Sequence, residues 1–216
     1  MKLGLVGGTG KEGTGLSVRW AKAGHTVAIG SREATRAKEK ATELSAEGGV
    51  NITGGDNASI VKDADIVILC VPYSAHSSTL EGLKGDLAGK IVVDITVPLK
   101  PPAVREVNLP KGVSAAEEVK ALLDPSTKLV AALHHVSSVH LQDHDHGIAC
   151  DVLVTGDDVA AKDAVIALIA DLGMRGLDAG PLKNSVALES LTPVLLYMNK
   201  RYKSEGTGLV ITGIPK

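Results

Sequence analysis

The chain has 216 residues, 44% hydrophobic and 22% charged, with a formal net charge of −2. That balance fits a globular protein built around one main core and excludes an intrinsically disordered chain. Its 23 Lys and Arg are matched by 25 Asp and Glu, and only 2% of residues are aromatic, so neither a basic nucleic-acid face nor a base-stacking platform is expected.

The elements alternate from the start. Leu3–Val6 reads as a buried strand that runs into Gly7-Gly8-Thr9-Gly10-Lys11-Glu12-Gly13, with G-x-G-x-x-G at Gly8, Gly10 and Gly13. A helix and a second strand, Thr26–Ile29, follow, which is the context the dinucleotide fingerprint requires. One glycine permits the turn, one lets backbone approach a pyrophosphate, and one packs helix against strand. Free N–H groups at the helix start face the anion. The second strand ends Gly30-Ser31-Arg32, with Arg36 beyond and no carboxylate at the strand end to hold a ribose 2′-hydroxyl. Ser31, Arg32 and Arg36 suit a 2′-phosphate instead, so the expected cofactor is NADP.

Residues 33–47 carry a helical pattern rich in charge pairs. The runs Ile66–Val71 and Ile91–Ile95 are apolar on both faces and end in Pro72-Tyr73 and Thr96-Val97-Pro98. Their carboxyl ends are where a nicotinamide ring packs, which makes Val71, Pro72 and Val97 candidate contacts. Residues 97–112 hold four of the nine prolines and read as an ordered surface loop. Ser114–Leu123 opens on a capping-box pattern, Ser114 with Glu117. The strand Leu129–Leu133 delivers His134 and His135 to the same carboxyl edge, where His134 is the candidate donor to a substrate carbonyl or anion. His140, Asp143, His144, Asp145 and His146 match no standard ligand spacing, so they read as a polar loop and no metal is expected. Val152–Thr155 is a strand, Asp157–Leu172 and Asn184–Tyr202 are helices, and Leu209–Thr212 is a β-like tail. The two cysteines, Cys70 and Cys150, read as buried thiols of a cytoplasmic protein, and neither a membrane span nor a signal peptide is expected.

Strands alternating with helices predict an α/β fold: a Rossmann-type, doubly wound parallel sheet with a small C-terminal lobe. Residues 1–145 would form the NADP-binding domain. Residues 146–216 would form the lobe and contribute to the substrate pocket and dimer, with the boundary near 140–150 or near 180.

The sequence resembles the F420-dependent NADP reductases nearly end to end. The resemblance rests on GGTGKEG at 7–13, AGHTVAIGSR at 23–32, GKIVVDITVP at 89–98, VTGDD at 154–158, LDAGPLKNS at 177–185 and ESLTPVLLYMNKRYK at 189–203. It implies hydride transfer between NADP(H) and coenzyme F420, a deazaflavin, by a homodimer whose only other partners are these small molecules. It places Thr9, Gly10, Lys11 and Glu12 in the pyrophosphate loop, and Ser31, Arg32 and Arg36 at the 2′-phosphate. Val97 and Ser138 fall near the nicotinamide, and His134 falls beside the deazaflavin. Tyr73-Ser74-Ala75-His76 departs from the aromatic-Glu-His run usual there. Two other readings share the NADPH site: a reductase of a flavin, ferric chelate or imine, and a non-catalytic NADP sensor.

Overall fold

The structure is a computed structural model and describes residues 1–214. Eight strands form one sheet: β1 (Lys2–Val6), β2 (Thr26–Ser31), β3 (Ile52–Asp56), β4 (Ile66–Leu69), β5 (Ile91–Asp94), β6 (Lys128–Ala131), β7 (Asp151–Gly156) and β8 (Arg175–Asp178). Their order is β3-β2-β1-β4-β5-β6-β7-β8. The chain winds outward from β1 to β3, crosses back to β4 and winds the other way. The switch point therefore opens between the carboxyl ends of β1 and β4, where Val6 lies opposite Leu69.

Among the described residues, eight α-helices cover the sheet: α1 (Lys11–Lys22), α2 (Ala34–Gly48), α3 (Asn57–Lys62), α4 (Tyr73–Leu83), α5 (Ala115–Lys120), α6 (Ser138–Gln142), α7 (Val159–Ala170) and α8 (Ser185–Tyr202). Successive strand residues point to opposite faces, so β1 divides its side chains between two cores. Leu3 and Leu5 join Trp20 of α1 and Leu168 of α7 on one face. Val6 joins Ile60 of α3, Leu80 of α4 and Val119 of α5 on the other. The buried Trp20 indole donates to the Leu168 carbonyl at 2.9 Å, which ties α1 to α7.

Three features depart from the sequence expectation. First, β7 runs antiparallel to β6, with Val130 opposite Gly156. The connection between them does not cross to the amino edge. It turns back through α6, which sits against the start of α1: Gln142 donates to the Lys11 carbonyl at 2.6 Å and to Thr14 Oγ1 at 2.8 Å. Second, β3 was unexpected because its sequence, ITGGD, offers little apolar signal. Its glycines serve packing, since a Cβ on Gly54 would lie 2.3 Å from the Ala37 carbonyl oxygen. Third, Leu209–Thr212 forms no strand. Its backbone is satisfied instead by Asp151, whose N–H donates to the Leu209 carbonyl at 2.7 Å and whose carboxylate accepts from Ile211 N–H at 2.6 Å. Arg175 completes the clasp with a two-pronged bond to the same carboxylate and a third to the Ile211 carbonyl. No helix among the described residues is long and apolar enough to cross a membrane.

Candidate active site

The glycine loop is shaped by close approach. Gly7 adopts φ +69° and its N–H donates to Asn57 Oδ1 at 3.1 Å, a contact from α3 that the sequence did not suggest. A Cβ on Gly13 would fall 2.6 Å from Gly8 Cα, so the turn of α1 rests directly on the strand exit. Gly10 differs: a Cβ there meets nothing within 4 Å. Gly10 is also the N-cap of α1 and carries no side-chain cap, which leaves the first N–H groups of the helix facing the open space. Thr9, Lys11 and Glu12 flank that opening.

Ser31 ends β2 as a buried residue, while Arg32 and Arg36 are exposed beside it. Ser31 Oγ accepts from Glu33 N–H at 3.3 Å, so its own proton is free to donate outward. The carboxylate on the neighbouring strand, Asp56, is committed to capping α3 through Ser59 N–H at 2.9 Å. This cationic corner stands apart from the main cleft.

That cleft, about 670 Å³, opens at the switch point. It brings together Gly10, Glu12, Val71, Pro72, Val97, His134 and Ser138 of the predicted residues. Gly8, Thr9, Lys11, Gly13, Ser31, Arg32 and Arg36 lie outside its wall. The sequence assigned residues 146–216 a share of the pocket but singled out none of the residues on the opposite wall, where α8 contributes Thr192, Leu195 and Asn199, closed by Thr207. Thr207 is latched to Asn199 Oδ1 through both its N–H and its hydroxyl, at 2.9 and 2.8 Å. The ESLTP block at 189–193 was the only available signal for this wall.

His134 enters the cleft by a costly turn. Leu133, immediately before it, takes φ +66°, a left-handed conformation that disfavours leucine by about 1–2 kcal/mol. Thr192 Oγ1 holds the turn by donating to the His134 carbonyl at 2.7 Å. The imidazole is 5% exposed, and neither ring nitrogen has a hydrogen-bond partner among the described residues. Burial lowers its pKa to about 4, against the opposing pull of Asp94. His135 is half occupied: Nε2 is bonded to the Asp151 carbonyl at 2.9 Å, while its Nδ1 has no partner among the described residues. An unpartnered imidazole bordering an apolar cleft is poised to bond a polar group that enters it.

Two further polar groups of the cleft wall, Tyr73 and Cys70, are unsuited to chemistry. The Tyr73 hydroxyl donates to Glu118 at 3.0 Å, and burial raises its pKa to about 12. Burial likewise pushes the Cys70 thiol up, aided by Glu12 and Asp94. Such a thiol is a poor nucleophile. The polar loop 140–146 is organised from the other side. The Arg19 guanidinium donates to the carbonyls of Leu141, His140, Asp143 and His146.

Similarity to known proteins agrees with this geometry. The sequence model of the family described as NADP oxidoreductase coenzyme F420-dependent matches residues 2–98. An F420-dependent NADP reductase of Methanocaldococcus jannaschii is 42% identical over 99% of both chains. Another of that name, from Methanothermobacter marburgensis, is 34% identical over 100% of both. A crystal structure from Arthrobacter sp. fb24 superimposes with a TM-score of 0.84 at 25% identity, covering 98% of this chain and 99% of that one.

Proposed function

The chain belongs to the F420-dependent NADP reductases, and from that premise we propose how its residues seat the two coenzymes. It is an oxidoreductase that passes hydride between NADP(H) and coenzyme F420. When bound, NADPH supplies the hydride and the deazaflavin accepts it. The observation that carries the site reading is the single cleft joining the uncapped start of α1 to an unpartnered, buried His134.

Gly8, Thr9, Gly10, Lys11, Glu12 and Gly13 cradle the pyrophosphate. The open space at Gly10 and the free N–H groups of α1 fit that group. Ser31, Arg32 and Arg36 bind the 2′-phosphate. Val71, Pro72, Val97 and Ser138 wall the nicotinamide, and the apolar lining keeps water from the transferring hydride. His134 donates a hydrogen bond to the deazaflavin edge on which negative charge accumulates. Residues 1–145 hold NADP, and the chain beyond them supplies the wall of the second coenzyme through α8 and Thr207.

A homodimer is supported by an apolar strip along α8. Val194, Tyr197, Met198 and Tyr202 share one helical face and are 45%, 57%, 37% and 70% exposed. A cytoplasmic site is supported by Cys70 and Cys150, both free thiols.

The test mixes the protein with NADPH and oxidised F420 and follows deazaflavin absorbance, with NADH and FMN as parallel arms. Bleaching confined to NADPH with F420 is expected. Bleaching of FMN at an equal rate, or none with F420, would sink the assignment.

A further inference from the structure

We infer that Asn199 is a coenzyme-binding residue whose side-chain amide donates to an unprotonated oxygen of the deazaflavin ring system, and that Thr207 positions it. The inference rests on the F420 reading above and deepens it. Thr192, Leu195, Leu196 and Asn199 fall at i, i+3, i+4 and i+7 of α8, so they form one stripe along the cleft wall. Thr192 holds the His134 carbonyl at the near end of that stripe. Asn199 lies seven residues farther on, about 10 Å along the helix axis. Three fused rings lying against Leu195 and Leu196 have that reach.

An isolated asparagine amide can sit either way round, but here the backbone decides. The Thr207 N–H can only donate, and it meets Asn199 at 2.9 Å, so its partner is the carbonyl oxygen Oδ1. The Thr207 hydroxyl donates to the same oxygen at 2.8 Å. Both protein bonds of the side chain therefore go to Oδ1, and Nδ2 makes none among the described residues. The other polar side chains of this wall cannot take its place. The Thr192 hydroxyl is spent on the His134 carbonyl, and the Thr207 hydroxyl on Asn199 and the Leu195 carbonyl. A Glu205 carboxylate only accepts. Nδ2 is thus the unspent donor of a leucine-lined wall, with the unpartnered ring nitrogens of His134 bordering the same cleft. A flat apolar ligand with acceptor oxygens toward both ends satisfies the two.

The test is binding of oxidised F420, followed by deazaflavin fluorescence, with steady-state kinetics alongside and NADPH affinity as the control for folding. Asn199→Asp keeps both Thr207 bonds, because a carboxylate oxygen accepts them, but has no proton to donate. Asn199→Ala loses the donor without adding charge. Both should weaken F420 binding by about 10-fold, with the loss falling on KM for F420 rather than on NADPH affinity. Thr207→Val loses one of the two orienting bonds and should cost less, about threefold. If Asn199→Ala does not fold, Asn199→Asp decides alone, its loss persisting in high salt, where exposed charge is screened. A purely structural latch predicts that Asn199→Asp binds F420 like wild type, and simple charge repulsion predicts that Asn199→Ala does. Either result overturns the proposal, as does a Thr207→Val loss larger than that of Asn199→Ala. Wild type that fails to bind or reduce F420 would sink the functional reading instead.

Discussion

At the residue scale, two groups divide the recognition between them. Arg32 and Arg36 stand exposed at the end of β2, outside the cleft, which suits the role proposed for them at the far end of the nucleotide. Replacing both with alanine should weaken NADPH binding by about 30- to 1000-fold, the equivalent of two charge-assisted contacts. NADH affinity should barely move, as fluorescence titration of the two nucleotides would show. His134 lies at the other end. His134→Ala should lower kcat by about 100-fold while leaving NADPH affinity near wild type, because its bond forms to charge that develops during transfer. Steady-state kinetics beside direct NADPH binding would separate the two effects. The position of Ser31, Arg32 and Arg36 at the end of β2 was legible in the sequence, because the strand and its exit are written in local pattern. The pairing of Asp94 with His76 was not, because the two arrive from different elements.

At the element scale, the start of α1 separates packing from binding within one turn. Gly13 has no room for a side chain against Gly8, so Gly13→Ala should cost about 1–3 kcal/mol of stability in denaturant unfolding. Gly10→Ala meets nothing and keeps an ordinary backbone angle, φ −82°. It should leave the unfolding midpoint unchanged yet raise KM for NADPH, because the added methyl intrudes where phosphate approaches. The capping box on α5 was read correctly from SAAE. Ser114 and Glu117 exchange bonds as expected, and Ser114 Oγ is also bonded to Ser185 Oγ of α8 at 2.7 Å. That second bond ties α5 to the cleft wall, a role no local pattern discloses. Glu189 of α8 reinforces it by accepting from the N–H groups of Ala115 and Ala116 at 2.7 and 3.1 Å.

At the scale of the whole molecule, the buried titratable groups set the pH window of stability. Burial raises Glu189 from 4.5 to about 8. A raised carboxyl pKa gives stability that is full below the unfolded value and lost as pH rises through the folded one. Burial lowers His134 from 6.5 to about 4. The unfolded chain then binds more protons between those values, so stability is lost as pH falls from 6.5 toward 4. The two slopes oppose each other below 6.5; above 6.5 Glu189 acts in the same direction as His146, whose pKa the Asp143 carboxylate raises. Thermal unfolding across pH should therefore show a decline on the alkaline side that Glu189→Gln flattens. A decline that persists in that variant would assign it to other groups. Association belongs to this scale too. Tyr197→Glu with Met198→Glu should convert the proposed dimer to a monomer in sedimentation experiments, with no change in far-ultraviolet dichroism.

The sequence by itself determined the α/β class, the glycine loop and the family, because each is written in local periodicity, fixed spacing or contiguous blocks. Tertiary structure alone decided the reversal at β7, which residues of α8 wall the cleft, and the pairing of Asp94 with His76. Those depend on where the chain returns after long excursions. Arg19 reaches the carbonyls of residues 140–146, and Thr192 reaches His134, across separations of 122 and 58 residues in the bonds to Leu141 and His134. Packing of the two faces of one sheet selects such contacts, and no window of neighbouring residues encodes them.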